Sequence, residues 1–281
     1  MLCTSCQMNT ASTPQGLCAA CVQAAAAAPP PPADGRIKTG GAPAWLRSPV
    51  RLGWAVVALL GLVVAADLYS LWAGTVMLDV MNDLIAGEFG ADIERRAERA
   101  DTLYAYSGGP QLVALVATCV VFLVWFHRVR VNAEVFEPYI HRKKRGWTVW
   151  GWFVPVVNFW FPRRIAVDIW DASAARPAGS DPTVPLDPSV ERGPHPLVNA
   201  WWTLWVASLF ADRWAAKSYA RAEEADEIRS AVGNMMFSDA LHIAAAALAV
   251  VFVLRLTRMQ DRKARSGPPV PQPVPGPVAA P

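Results

Sequence analysis

The sequence predicts an all-α membrane protein with four transmembrane helices, a short re-entrant or interfacial hairpin and a small N-terminal zinc knuckle. Of its 281 residues, 53% are hydrophobic and only 17% are charged, a more apolar balance than that of an ordinary soluble domain. The apolar residues form blocks approaching the roughly 20 residues that a helix needs to cross a bilayer. Ahead of these blocks stand four cysteines in two CxxC pairs.

The cysteine module comprises residues 1–23. Cys3 and Cys6 form one pair, Cys18 and Cys21 form the other, and 11 residues separate the pairs. Two such turns can present four thiolates at the corners of a tetrahedron, the geometry of structural zinc. Disulfides, a redox pair and an iron-sulfur site are the alternatives, although a cytosolic location argues against stable disulfides. We expect one structural zinc ion, bound by all four cysteines.

An Ala/Pro/Gly linker over residues 24–48 leads to a helical membrane domain over residues 50–262. The first span is predicted at 52–72, where the apolar run carries no charge until Asp67. The second is predicted at 110–128, with Pro110 placed to open the helix. The third and fourth spans are predicted at 197–214 and 235–254, and residues 263–281 form a Pro-rich tail that should be disordered.

Residues 147–162 are apolar but short, and Pro155 interrupts them. They could form a fifth span or a re-entrant or interfacial hairpin. The tryptophans here and in the third span predict an aromatic belt at the headgroups. They are Trp147, Trp150, Trp152, Trp160, Trp201, Trp202 and Trp205.

Charge bias predicts the topology, because lysine and arginine in short loops accumulate on the cytoplasmic side. Residues 73–109 contain three arginines and seven acidic residues, whereas residues 127–146 contain six basic and two acidic residues. The flank after the last span is also basic. Both termini are therefore expected in the cytoplasm, which requires an even number of crossings and favours four spans with a hairpin at 147–162.

The segment 76–104 has apolar residues at helical spacing and a charged opposite face. It predicts an amphipathic helix that lies on the outer surface or extends from the first span. A weak internal duplication relates the first pair of spans to the second, since VVFLVWFHR at 120–128 resembles VVFVLRLTR at 250–258.

Asp67, Asp212 and Asp239 map to the outer third of their spans, and His242 follows Asp239 on the same helix face. A carboxylate at the bilayer centre costs about 2.5–3.5 kcal/mol on insertion scales, so such residues usually face protein or water. These residues form a candidate intramembrane polar site for a proton, a cation or a substrate. The alternative is interfacial charge that pairs with Arg213 or reaches the headgroups.

Several strings together resemble the actinobacterial membrane proteins classed as domain of unknown function 4328. They are FLVWFHRVRVNAEVF at 122–136, RGWTVWGWFVPVVNFWFPRR at 145–164, IWDAS at 169–173 and NAWWTLW at 199–205. The resemblance covers about residues 50–262 and implies a bacterial plasma-membrane location without implying an activity. It also implies a shared core around Asn132, Trp152, Pro155, Asn158, Pro162, Trp170, Asn199 and Trp202.

The sequence favours a non-enzymatic scaffold or sensor in the lipid bilayer, whose residues 1–23 bind a cytoplasmic protein partner. A small transporter or channel that uses the outer aspartates is the main alternative. An intramembrane lipid-acting enzyme, with Asp239 and His242 as acid and base, is the weaker one. The formal net charge of +3 is too small to suggest that the protein binds nucleic acid. The sequence is compatible with a homo-oligomer.

Overall fold

The computed structural model describes residues 46–175 and 193–265, the short pieces 37–39 and 42–44, and the single residues Thr10, Ser12, Cys18 and Ala19. The chain divides into two compact units, Met1–Trp45 and Leu46–Pro281. In the first unit, strand β1 (Ile37–Thr39) pairs antiparallel with strand β2 (Ala42–Ala44). This short hairpin lies within the stretch predicted to be a linker.

The second unit is built from helices. They are α1 (Val50–Ile85), α2 (Ala91–Phe136), α3 (Trp147–Trp150), a 3-10 turn (Val157–Phe159), α4 (Phe161–Ser173), α5 (Pro196–Tyr219) and α6 (Ala225–Arg265). α1 packs along both α2 and α6, and α6 packs along α5. The short elements α3 and α4 pack beside α2, and α4 also contacts α5 and α6.

Three of these helices, α1, α2 and α6, are long and apolar enough to cross a membrane. The expectation of a helical membrane protein is confirmed at this level. α5 coincides with the third predicted span, but it is not among the three because Asn199, Asp212, Arg213 and Lys217 lower its hydropathy. A fourth crossing therefore stays a prediction.

The first two spans belong to much longer helices than predicted. At about 1.5 Å per residue, the 36 residues of α1 extend about 54 Å and the 46 residues of α2 about 69 Å. The prediction that Pro110 opens a helix was wrong, because Pro110 lies inside α2. The helical pattern upstream continues through it, and transmembrane helices accommodate proline in this way.

The predicted amphipathic segment 76–104 forms the end of α1 and the start of α2 rather than a separate surface helix. Gly87 and Gly90 lie in the turn between them with φ of 84° and 139°, values that side chains other than glycine rarely adopt. This extension has its own apolar core, to which α6 contributes Val232. The core consists of Met77, Val80, Met81, Ala100 and Val232.

Residues 147–162 contain no helix long enough to cross a bilayer. The chain passes from the single turn of α3 to a γ-turn, in which the Val157 N–H donates to the Pro155 carbonyl at 2.8 Å. Val156, at its centre, has φ of 68°, which is strained for a β-branched residue. The large apolar side chains exposed here are Trp150, Phe153, Val156 and Trp160.

A dense aromatic layer fills the middle of the bundle. Trp201 of α5 stacks on Phe252 of α6, with ring centroids 4.6 Å apart, and Trp125 of α2 meets Phe252 edge-on at 5.9 Å. The indole of Trp125 donates to Thr257 Oγ1 at 3.1 Å. Trp201 and Trp202, which were predicted to join a headgroup belt, are only 3% and 5% exposed. Neighbouring parts of the protein therefore cover their rings.

Large apolar side chains also stand on the outside of the long helices. They include Trp54, Leu62, Leu68 and Trp72 on α1, Leu112, Val113, Val116 and Val120 on α2, and Phe210 and Trp214 on α5. A soluble protein would seldom expose so much apolar surface, whereas a bilayer favours it. This surface agrees with the membrane assignment.

Candidate functional site

Polar side chains of α1, α2 and α6 stand at a common level in the bundle. On each helix, such a side chain lies 16 or 17 positions along the chain from an arginine near the opposite end of the apolar stretch. The pairs are Arg51 and Asp67, Gln111 and Arg128, and Asp239 and Arg255. At about 1.5 Å per residue this spacing is about 24–26 Å, most of the roughly 30 Å hydrocarbon core. If the arginines mark the cytoplasmic side, the polar level lies in the outer part of the membrane.

Two buried carboxylates share one amide at this level. Gln111 Nε2 donates to Asp67 Oδ1 and to Asp239 Oδ1, each at 3.0 Å. Asp67 is 1% exposed and Asp239 is 9% exposed, and the second oxygen of Asp67, Oδ2, is buried without a hydrogen-bond partner. Two neighbouring carboxylates repel each other when both are ionised, so a proton or a cation would stabilise this arrangement.

α5 joins the cluster through Asp212. His242 Nε2 lies 2.8 Å from Asp212 Oδ2, and Ser238 donates its hydroxyl to Asp212 Oδ1. The side chains of His242 and Asp212 are 26% and 40% exposed, so this edge of the cluster reaches the surface. We refer to Asp67, Gln111, Asp212, Asp239 and His242 as the outer cluster.

Within the outer cluster, Asp67, Asp239 and His242 each offer one ligand atom, and these atoms lie within 4.8 Å of one another. The structure thus brings together all four membrane residues singled out from the sequence. Among the described residues Asp212 is partnered by Ser238 and His242, not by Arg213 as the interfacial alternative assumed. Gln111 was missed because the sequence criterion was an ionisable side chain inside a span and the amide carries no charge; its position one residue after Pro110 was the available signal.

A second polar layer lies at the other end of the bundle. Asn132 of α2 accepts from the Arg47 N–H at 3.0 Å, and its Nδ2 donates to the Arg47 carbonyl at 2.8 Å and to Gln260 Oε1 at 3.0 Å. Gln260 Nε2 then donates to the Val129 carbonyl at 2.8 Å and to Ser173 Oγ at 3.1 Å. These bonds connect the residues just before α1 with α2, α4 and α6, and we call them the inner network.

Charged groups surround the inner network. Arg130, which is 2% exposed, contacts Glu134 Oε1 at 2.6 Å, and Arg145 Nε donates to the other oxygen of Glu134 at 3.0 Å. Asp168 accepts from the Arg142 backbone N–H at 3.0 Å, and burial raises the pKa of its carboxyl. Burial, together with the positive charge of Arg130, lowers the pKa of His141 to about 4. The imidazole is therefore neutral at physiological pH.

The predicted zinc ligands Cys3, Cys6 and Cys21 lie outside the described residues. Cys18 is described and is buried. Zinc binding by the four cysteines remains a prediction.

Comparison with protein families gives one match. Residues 91–258, more than half of the chain, match the family described as Domain of unknown function (DUF4328). The chain belongs to this family. The resemblance inferred from the sequence is thereby confirmed for the DUF4328 region, which runs from α2 into α6 and excludes Asp67 on α1. No curated protein matches the chain, and no solved structure matches it.

Several residues that the resemblance implied as a shared core make packing contacts within the DUF4328 region. Trp202 Nε1 donates to the Phe159 carbonyl at 3.0 Å, and Asn199 Oδ1 accepts from Arg163 Nε at 3.0 Å. Trp170 stacks on Phe252, with ring centroids 6.1 Å apart. These contacts hold the 147–162 segment and α4 against α5 and α6. The residues of this set that make such contacts are structural.

Proposed function

We propose that this DUF4328 protein is a non-enzymatic sensor or scaffold of the bacterial plasma membrane, whose outer cluster responds to a cation and influences the cytoplasmic end of the bundle. The observation that carries the proposal is the link from Asp67 through Gln111 to Asp239. It joins three long helices by two hydrogen bonds at 3.0 Å around buried, mutually repelling carboxylates. Proton or cation binding would remove that repulsion and change how the helices pack.

The helices provide a direct route to the other end. α2 runs without interruption from Gln111 to Asn132, and α6 from Asp239 to Gln260, 21 residues in each case. At about 1.5 Å per residue the two polar layers are about 31 Å apart along the helices. A shift of α2 against α6 at the outer cluster would therefore stretch or break the hydrogen bond between Asn132 and Gln260 in the inner network.

The aromatic layer favours a sensor over a conduit. Trp125, Phe126 and Phe252 are 0% exposed and lie between the two polar layers. The buried carboxylates nevertheless resemble an ion-coupling site, so a small transporter is the second candidate. A transporter would require the aromatic layer to open and close in turn on the two sides of the membrane, whereas a sensor would not.

We further propose that α5 is a fourth crossing, with both termini in the cytoplasm. Its 24 residues extend about 36 Å, enough to cross the hydrocarbon core. Its Asp212 contacts His242 of α6 and so lies at the same level of the bundle as the outer cluster. Cys3, Cys6, Cys18 and Cys21 would then hold zinc in the cytoplasm, where residues 1–23 would recruit a protein partner. The spacing of the two CxxC pairs supports this role.

Hydrogen–deuterium exchange of the full chain in lipid nanodiscs tests the sensor. Asp67→Asn removes one carboxylate charge from the outer cluster, and we expect it to change backbone exchange in residues 137–146 at the opposite end. Asp101→Asn is the matched control, because Asp101 is exposed on α2 and lies ten positions, about 15 Å along the helix, before Gln111. If exchange in residues 137–146 is the same in wild type and Asp67→Asn, the proposal fails.

A flux assay separates the two candidates. Proteoliposomes containing wild-type protein should show no more proton or Mn²⁺ flux than empty liposomes if the bundle is a sensor. Flux that is present in wild type and abolished by Asp67→Asn and Asp239→Asn would establish the transporter instead.

A further inference from the structure

We infer that Asp67, Asp239 and His242 form a binding site for one divalent first-row transition-metal ion, with Asp212 orienting the histidine. This assignment names the ligand of the outer cluster and rests on the proposed function for its physiological role. The metal site itself can be present or absent whether or not the bundle acts as a sensor.

The distances fit a metal site. The three ligand atoms lie within 4.8 Å of one another. In a complex with metal–oxygen and metal–nitrogen bonds of about 2.1 Å, ligands on opposite sides of the ion are about 4.2 Å apart. Side-chain adjustments of a fraction of an ångström would bring all three into contact with one ion.

An unsatisfied oxygen points to the same ligand. Asp67 is 1% exposed, yet its Oδ2 has no hydrogen-bond partner, whereas its Oδ1 accepts from Gln111. A buried polar atom without a partner is unusual in a folded protein and calls for an explanation such as a bound ion. A cation bound by Asp67 Oδ2 would satisfy this oxygen and balance the charge that Asp67 shares with Asp239.

The histidine is arranged as a metal ligand requires. His242 Nε2 is 2.8 Å from Asp212 Oδ2. Since a carboxylate only accepts, a neutral imidazole in this pair carries its proton on Nε2 and keeps its lone pair on Nδ1. Histidines that bind metals usually donate their second N–H to a carboxylate in this way. Ser238 in turn donates to Asp212 and fixes its orientation.

The donors define the class of ion. Two carboxylate oxygens and one imidazole nitrogen suit Mn²⁺, Fe²⁺ or Zn²⁺, whereas a four-cysteine site selects softer thiophilic ions. Mn²⁺ therefore distinguishes the outer cluster from the predicted cysteine site. His242 and Asp212 are the partly exposed members of the cluster, at 26% and 40%, so an arriving ion would meet them before the buried aspartates.

Mn²⁺ titration of the full chain in lipid nanodiscs, followed by the electron paramagnetic resonance signal of free Mn²⁺, tests the site. We expect one Mn²⁺ per chain in wild type and at least a tenfold weaker affinity in Asp67→Asn and in His242→Gln. Asp212→Asn should weaken binding about tenfold or more, as loss of an orienting carboxylate does in other metal sites. Asp101→Asn and the double variant Cys18→Ser/Cys21→Ser should bind as wild type does.

Absence of Mn²⁺ binding at millimolar concentration, or equal binding by wild type and all cluster variants, would overturn the metal site. Size-exclusion profiles confirm that each variant is folded. Asp212→Asn is a second and milder test, because it leaves both buried aspartates in place. The sensor proposal is separable, because the effect of Asp67→Asn on exchange in residues 137–146 is measured without metal.

Discussion

Replacement of Asn132 by alanine provides the most quantitative test of the inner network. Asn132 is 1% exposed and makes three hydrogen bonds, two with the Arg47 backbone and one with Gln260. Each bond contributes about 1 kcal/mol net, and buried groups left without partners add about 1–3 kcal/mol. We therefore expect Asn132→Ala to lower the free energy of unfolding by about 4–6 kcal/mol.

Asn158→Ala is the matched control, since the side-chain oxygen of Asn158 is buried without a hydrogen-bond partner. The same truncation there should change stability by less than about 1 kcal/mol. Equilibrium unfolding in mixed lipid–detergent micelles, followed by tryptophan fluorescence, measures both variants. If Asn132→Ala and Asn158→Ala differ by less than about 0.5 kcal/mol, the inner network does not hold this end of the bundle together.

Three further variants test close packing, backbone strain and pH dependence. A Cβ at Gly53 would lie 2.7 Å from Thr257 Oγ1, so Gly53→Ala should destabilise the protein by about 1–3 kcal/mol. Gly61→Ala should not, because a Cβ at Gly61 would have no neighbouring atom within 4 Å. Equal melting temperatures for the two variants would refute the close contact of α1 with α6. Val156→Gly should raise the melting temperature by relieving a positive φ, whereas Val154→Gly should lower it; a fall in both would count against the γ-turn. The pKa of His141 is about 4 when folded and 6.5 when unfolded, so stability should fall as the pH is lowered from 6.5 to 4, by up to about 3.5 kcal/mol at 1.4 kcal/mol per pKa unit. This loss should be absent in His141→Gln, and an identical pH profile in the two proteins would contradict it.

The cost of ionisable groups in lipid made much of the outer cluster predictable from the sequence. Asp67, Asp239 and His242 interrupt strongly apolar stretches, and the structure brings them within 4.8 Å of one another. Gln111 could not be found by that criterion, because its amide is not ionisable. The pairing of Asp212 with His242 was also hidden, since residues 30 positions apart meet only when α5 packs on α6.

Hydropathy predicted the parts of the helices that lie in lipid. It predicted less well the parts whose extent is determined by packing against other parts of the protein. Hydropathy located the apolar centres of α1, α2 and α6 but not their ends, which continue past the membrane as a packed extension around Met77 and Val232. Pro110 gave a false helix start because flanking helical residues outweigh one missing backbone donor. Trp201 and Trp202 resembled interfacial residues by composition, whereas their burial depends on contacts with Phe252 and Phe159.

The central claim is that the outer cluster and the inner network are energetically coupled across the bundle. A double-mutant cycle of Asp67→Asn and Asn132→Ala, measured by unfolding in lipid–detergent micelles, tests it most directly, with Asp101→Asn and Asn132→Ala as the control cycle. Independent sites more than about 10 Å apart add within about 0.5 kcal/mol, and these layers are about 31 Å apart. The account predicts that the first cycle departs from additivity by at least about 1 kcal/mol and that the control cycle is additive. Additivity in both cycles would contradict it.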